Sequence, residues 1–144
     1  MINMMGNINY RFIKMDLTQF SPDWDKYNSE IPDMGIESNF SFSFNRSQNV
    51  LRCTTKLRFS QEARVFLESE LQTFYSVDKE SIEGMTKGNE LVVPRGLLCQ
   101  FGSLAYGSYR GVLYMKTLNT PIDNLILPPL YLDEVIKEDV KFIL

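Results

Sequence analysis

Between Phe40 and Val77 apolar and polar residues alternate in three successive runs, and this period of two constrains the fold more than any other feature of the chain. Phe40, Phe42 and Phe44 lie opposite Ser41 and Ser43. After the turn-forming residues Asn45-Arg46-Ser47-Gln48-Asn49, the residues Leu51, Cys53, Thr55, Leu57 and Phe59 alternate with Arg52, Thr54, Lys56 and Arg58. Ser60-Gln61-Glu62-Ala63 turns the chain again, and Val65, Leu67, Leu71, Tyr75 and Val77 oppose Phe66, Glu68, Glu70, Gln72 and Phe74. Successive strand residues point to opposite faces, so each run predicts a strand of an antiparallel sheet with one packed and one wet face. A further strand is predicted over Ile8 to Gln19, where Tyr10, Phe12 and Lys14 oppose Arg11, Ile13 and Met15, an alternation of mixed sidedness.

The segment from Ser21 to Gly35 is rich in Pro, Asp and Asn and reads as a long loop. It also carries Phe20, Trp24, Tyr27, Ile31 and Met34 at or near its ends and within it, so it should press apolar side chains onto the body of the protein. The period changes after Pro94. Leu97, Leu98, Phe101, Leu104, Ala105, Tyr109, Val112 and Leu113 recur at helical spacing, and Pro94 suits a first helical turn. Gly96, Gly102, Gly107 and Gly111 interrupt this helix, each at a cost of about 0.5–1 kcal/mol relative to alanine, so close packing against the sheet or another subunit is expected there. Asn119-Thr120-Pro121 ends it, Leu125 to Pro129 reads as extended, and Leu132 to Glu138 reads as a short final helix. The predicted class is α+β: a four-stranded antiparallel sheet followed by two helices packed on one face, within a single domain spanning 1–144.

Composition removes several classes of function. A chain of 144 residues with 44% hydrophobic content has the material for one core. A net charge of -3 argues against a nucleic-acid surface, which needs clustered Lys and Arg. No run of about 20 apolar residues suggests membrane insertion, and Met1 to Gly6 lacks the layout of an export signal and reads as a frayed start, so a cytoplasmic protein is expected. Histidine is absent and there are two cysteines, Cys53 and Cys99, which rules out an imidazole relay and a tetrahedral Cys/His zinc site. The thiols read as reduced, buried residues. Asp23, Asp25 and Glu30, or Asp133 and Glu134, could serve a carboxylate-only enzyme, but acids at such places are ordinarily turn and helix-start residues.

Leu127-Pro128-Pro129-Leu130 followed by Tyr131-Leu132 resembles the Leu-Pro-Pro-Val/Ile-Asn-Phe segment of SecB export chaperones. Glu70-Leu71-Gln72-Thr73-Phe74-Tyr75 resembles that family's acidic fourth strand with its apolar-aromatic end, and Arg110 matches a helix arginine. Taken in order, the resemblance covers roughly Ile8 to Ile136. Tyr131, Thr73 and the pair Gly107-Ser108 depart from the family pattern.

The resemblance implies a homotetramer, a dimer of dimers joined through packed helices, with no cofactor or metal. It further implies an ATP-independent holdase for unfolded or precursor polypeptides, with apolar grooves walled by the loop between the first two strands, the second strand and the final helix. Those elements hold Trp24, Tyr27, Ile31, Met34, Phe40, Phe42, Phe44, Leu132, Val135 and Ile136. Core packing is the competing role for the three phenylalanines. Export-type members also dock the motor SecA through acids on the outer sheet face, for which Asp16, Glu68 and Glu70 are the counterparts. Phe20 stands where a further acid is expected, and no counterpart of the family's acidic tail follows the last predicted helix. Other SecB-like proteins protect antitoxins, so a chaperone dedicated to one partner stays open. So does a carrier of small hydrophobic ligands, which would need an enclosed cavity where a polypeptide binder needs an open groove.

Overall fold

The computed structural model describes residues 8–144, and the Met1 to Gly6 start lies outside them. Strands β1 (Tyr10–Pro22), β2 (Gly35–Asn45), β3 (Val50–Gln61) and β4 (Arg64–Val77) form an antiparallel sheet in the order β1-β4-β3-β2. The alternation in β2 and β3 translates directly into faces. Cross-strand rows such as Phe12-Tyr75-Leu51-Phe44 and Leu17-Leu71-Thr55-Phe40 line the inner face, while Asp16-Gln72-Thr54-Ser41 lies on the outer one.

Two expectations fail here for the same reason. Register shifts lie between Phe12 and Lys14 and between Leu17 and Gln19, so Ile13 and Thr18 are extra residues. Each bulge inverts the phase of the strand. Lys14 therefore joins Arg11 on the outer face, opposite Phe74, and Met15 joins Phe12 on the inner face, opposite the buried Thr73. Likewise, simple alternation puts Phe66 on the polar face of β4. The shift at Phe59/Ser60 inserts it as an extra residue, and it is buried together with Leu67.

Helix α2 (Arg95–Thr117) lies across the inner face. Tyr75 stacks on Phe101 with ring centroids 4.1 Å apart, and its hydroxyl donates to the Phe101 carbonyl at 2.8 Å while lying 2.9 Å from Thr73 Oγ1. At the other end of the helix, the Tyr109 hydroxyl bonds Ser69 of β4. These tyrosines pin the helix to the sheet with polar groups that are satisfied in the core. Within the chain itself, the close packing expected at the helix glycines is met at Gly102. A Cβ on Gly102 would meet Leu132 Cδ1 at 2.8 Å, whereas Gly107 and Gly111 face open space.

The expected order of four strands and two helices omits several elements. A short helix α1 (Lys79–Met85) follows β4. Asp78 caps it by accepting the Ser81 N–H at 2.7 Å, and hydrogen bonding from Ser81 holds its carboxyl below the usual range. Strands β5 (Thr86–Lys87), β6 (Glu90–Val93) and β7 (Val140–Ile143) form a second, three-stranded sheet. The final helix α3 is one turn, Leu132–Val135, and does not reach Glu138. Arg95 takes over where it stops, donating from Nε to the Ile136 carbonyl at 2.8 Å and from Nη2 to the Asp133 carbonyl. Cys53 is buried and Cys99 half-buried, both as free thiols.

Candidate functional site

The loop between β1 and β2 is a fixed wall. The Asp23 N–H donates to the Phe66 carbonyl at 2.7 Å, and Trp24–Lys26 form one 3-10 turn. The Asn28 side chain accepts the Glu30 N–H at 2.9 Å, a turn typical of asparagine. Gln61, buried at the end of β3, binds the loop from beneath. Its amide oxygen accepts the Asn28 N–H at 2.9 Å, and its nitrogen donates to the carbonyls of Asn28 at 3.0 Å and Ile31 at 3.4 Å. Trp24 and Tyr27 are thereby held over the buried Phe66, with ring centroids 6.5 Å and 5.0 Å from it and their own rings edge to face. Both stay half-buried, as do Ile31 and Met34.

From this wall the apolar surface runs along β2. This strand pairs with β3 on one side and, among the described residues, has no hydrogen-bonded strand on the other. Phe40, Phe42 and Phe44 face inward, yet remain half-buried because α2 covers β3 and β4 and stops short of the edge. Phe142 of β7 packs on Phe44 at 6.0 Å and closes that end of the lane. The other flank is the connection from α2 to α3. Leu125 and Leu127 are buried, Tyr106 donates its hydroxyl to the Pro128 carbonyl at 2.7 Å, and Leu130 packs against both core clusters.

The final helix divides its candidates. Leu132 and Ile136 are buried against Gly102, so their side chains hold α3 to α2, while Val135 is 38% exposed. Four surface residues escaped the sequence reading. Ile36 and Leu130 are half-buried beside the lane, and Ile126 and Tyr131 are both 66% exposed. The signal for Ile126 was present, since it is the outward residue between the inward Leu125 and Leu127.

On the outer face lie Asp16, Glu68 and Glu70. Glu70 is 3.7 Å from Lys56 and accepts the Thr18 hydroxyl. Glu68 is 3.4 Å from Arg58, which also lies 3.8 Å from Glu37. Of the loop acids, Asp23 pairs with Lys26 at 3.6 Å, and Asp25, Glu30, Asp133 and Glu134 are exposed. Among the described residues no group of three or more His, Cys, Asp or Glu could hold a metal ion, and no helix is long and apolar enough to cross a membrane.

No family model and no curated protein matches the chain. Among solved structures it is similar to a SecB-like chaperone of Mycobacterium tuberculosis, in complex with a ChAD peptide from the HigA1 antitoxin. The TM-score is 0.54 at 10% identity, over 84% of this chain and 90% of that one. A protein of unknown function from Streptococcus agalactiae matches with a TM-score of 0.42 at 10% identity, over 86% of this chain and 100% of the other. At such identity the likeness is one of fold: the chain has the SecB-like α+β fold, with its four-stranded antiparallel sheet and helices on one face.

Proposed function

We propose that the protein is a non-enzymatic, ATP-independent chaperone that holds extended apolar segments of unfolded or precursor polypeptides. The observation that carries this reading is the row of half-buried aromatics along β2, a strand that among the described residues pairs on one side only, next to the half-buried Trp24 and Tyr27. Burying an apolar client side chain there contributes roughly 1.5–3 kcal/mol whatever its sequence context. The free strand edge offers backbone hydrogen bonds, which are equally indifferent to sequence. The likeness of fold to a chaperone solved with an antitoxin peptide supports a polypeptide partner, and a client restricted to one antitoxin is a narrower form of the same reading.

The finer parts follow. Within the lane, Trp24, Tyr27, Ile31, Met34, Phe40, Phe42, Phe44 and Val135 would touch the client, and Leu132 and Ile136 would support α3 from below. A cytoplasmic homotetramer built as a dimer of dimers would use the outer face of α2, where Gly107 and Gly111 leave room for a second helix and Tyr114 and Met115 are exposed. Export through SecA is the least supported part, since Glu68 and Glu70 already have cationic partners on β3.

The test is suppression of aggregation of a slowly folding polypeptide by the purified protein, without ATP and at about equal molar amounts. Trp24→Ser with Tyr27→Ser should weaken client affinity about tenfold, the equivalent of 1.4 kcal/mol, and leave the oligomer intact. Unchanged affinity would remove the loop from the site. Absence of suppression and of any stable peptide complex would sink the holdase reading.

A further inference from the structure

The outer face of the sheet is electrically divided. At the end nearer the β2–β3 hairpin, one cross-strand row reads Lys14-Phe74-Arg52-Ser43. Arg11 lies in the adjoining row opposite Ser76, and Arg46 lies in the hairpin turn. Among the described residues the ion pairs lie elsewhere, at Lys56, Arg58 and the loop Lys26, so these four cations have none. Arg52 Nε is buried without a hydrogen-bond partner, and Lys14 Nζ lies 5.3 Å from the centre of the Phe74 ring. The surface is concave here, with Arg46, Arg52, Asn45, Gln48 and Phe74 in its walls. The turn that carries Arg46 is held by Asn45, whose side-chain oxygen accepts the N–H groups of Ser47 at 3.1 Å and Gln48 at 3.3 Å.

A chain of net charge -3 thus gathers unpaired positive charge around one aromatic ring. Asp16, one row further along, is an acid among the paired strand residues of this face, and at the other end Asp78, two residues beyond Ser76, is engaged by the Ser81 N–H and the Asn9 side chain. Beyond Asp16 come Glu70, Glu68 and Glu37, the last two beside Arg58. Arg58 is six residues along β3 from Arg52, about 20 Å at the rise of a strand. Across the sheet the patch spans about 14 Å, three strand spacings.

We propose that this end of the outer face docks a short, extended acidic segment of a polypeptide, with carboxylates on Arg46, Arg52 and Lys14 and an apolar side chain on Phe74. Guanidinium groups bind carboxylates in a fork geometry, and among the described residues neither Arg46 nor Arg52 has an ion-pair partner. The size of the patch argues for a peptide over a duplex. Nucleic acid carries a charge every 1.7 Å or so along its axis, and its continuation would run onto the acids at the far end. The site lies on the opposite face of the sheet from the apolar lane, so it stands whether or not the chaperone reading does.

The probe is a fluorescein-labelled peptide of pattern Glu-Ser-Glu-Ser-Leu-Ser-Glu, whose Glu and single Leu share one face when extended, followed by anisotropy, with its Lys-for-Glu counterpart, a DNA duplex and phosphatidylserine vesicles as competitors. Saturable binding that weakens as salt rises from about 0.05 to 0.3 M, and falls about tenfold or more in Arg46→Glu with Arg52→Glu, is the expected result. Lys14→Glu with Arg46→Glu alters only exposed side chains and should give a loss in the same direction if the pair containing Arg52 fails to fold. Trp24→Ser with Tyr27→Ser, and Lys56→Glu at the far end, should leave this binding within about twofold. The proposal is overturned by equal binding of the lysine peptide, by indifference to the Lys14 and Arg46 changes, or by displacement of the peptide by duplex or vesicle at lower concentration than by unlabelled peptide.

Discussion

Gln61→Met tests whether one buried side chain holds the aromatic wall in place. Methionine keeps the length and volume of glutamine but removes the amide that accepts from Asn28 at 2.9 Å and donates to the carbonyls of Asn28 at 3.0 Å and Ile31 at 3.4 Å. A typical hydrogen bond contributes about 1 kcal/mol net, and the longest of the three is worth less. Water can reclaim part of the loss because Asn28 itself is exposed. The expected cost is about 2 kcal/mol. Unfolding entropy of roughly 2.1 cal/mol/K per residue over 144 residues gives about 0.3 kcal/mol/K, so Tm should fall by about 7 °C at fixed protein concentration. Trp24 is the sole tryptophan and lies in the same loop, so its emission reports the wall directly. In the variant it should shift to the red well below the melting transition. A Tm within about 1 °C of wild type, with unchanged emission, would refute the argument that Gln61 anchors the loop.

Two further changes probe the core. Gly102→Ala gains about 1 kcal/mol of helix propensity, but its Cβ would stand 2.8 Å from Leu132 Cδ1 and 3.1 Å from Ile136 Cδ1, and overpacking costs about 1–3 kcal/mol. It should lower Tm, while Gly84→Ala, with nothing within 4 Å, should leave Tm equal or higher; a Gly102 variant as stable as the Gly84 one would disprove the contact. Burial pushes the Cys53 thiol from an ordinary value of 9.0 up to about 11. The unfolded chain then loses its proton first, and stability falls as pH rises from about 9 to about 11, by roughly 2–3 kcal/mol in all. Urea titrations at pH values across that window should give a shallower pH dependence for Cys53→Ala, and an identical slope would remove Cys53 as its source.

What was legible in the sequence followed from periodicity, and what was not followed from its local failure. In β2 and β3 a polar residue stands between nearly every pair of inward ones, and the assigned faces match the structure residue by residue. In β1 the same reasoning places Lys14 and Met15 on the wrong faces, because a bulge spends one residue without advancing the pattern, and nothing in Phe12-Ile13-Lys14 marks which residue is spent. The hairpin of β5 and β6 has a turn signal in Gly88, whose φ is +62°, but its first strand is two residues long and offers no alternation to detect. The end of α3 was illegible for a different reason: the groups that replace its hydrogen bonds come from Arg95, 41 residues away from Ile136. For the candidate site, sequence reasoning could name the apolar loop residues but could not separate Val135 from Leu132 and Ile136, whose burial depends on the missing side chain at Gly102.

The two edges of the main sheet differ in a way that bears on function. An edge strand presents unpaired backbone groups to any other chain, and proteins ordinarily blunt such edges with charge, proline or bulges. β1 carries all three, in Arg11, Lys14 and Asp16, in Pro22 and in its two register shifts. β2 carries almost none. Its pairing with β3 runs unbroken from Gly35 to Asn45, and Asn39-Phe40-Ser41-Phe42-Ser43-Phe44-Asn45 contains neither charge nor proline. A segment of that composition on a free edge has the character of an aggregation site. β7 reaches only its Phe44 end. Selection for solubility alone would have placed a lysine on this strand, as it placed Lys14 on the other edge. A strand whose Asn39 to Asn45 segment is uncharged and aromatic, with its one acid, Glu37, on the outer face beside Arg58, is accounted for if an extended chain regularly lies against it, and this is the requirement that holding unfolded polypeptides imposes.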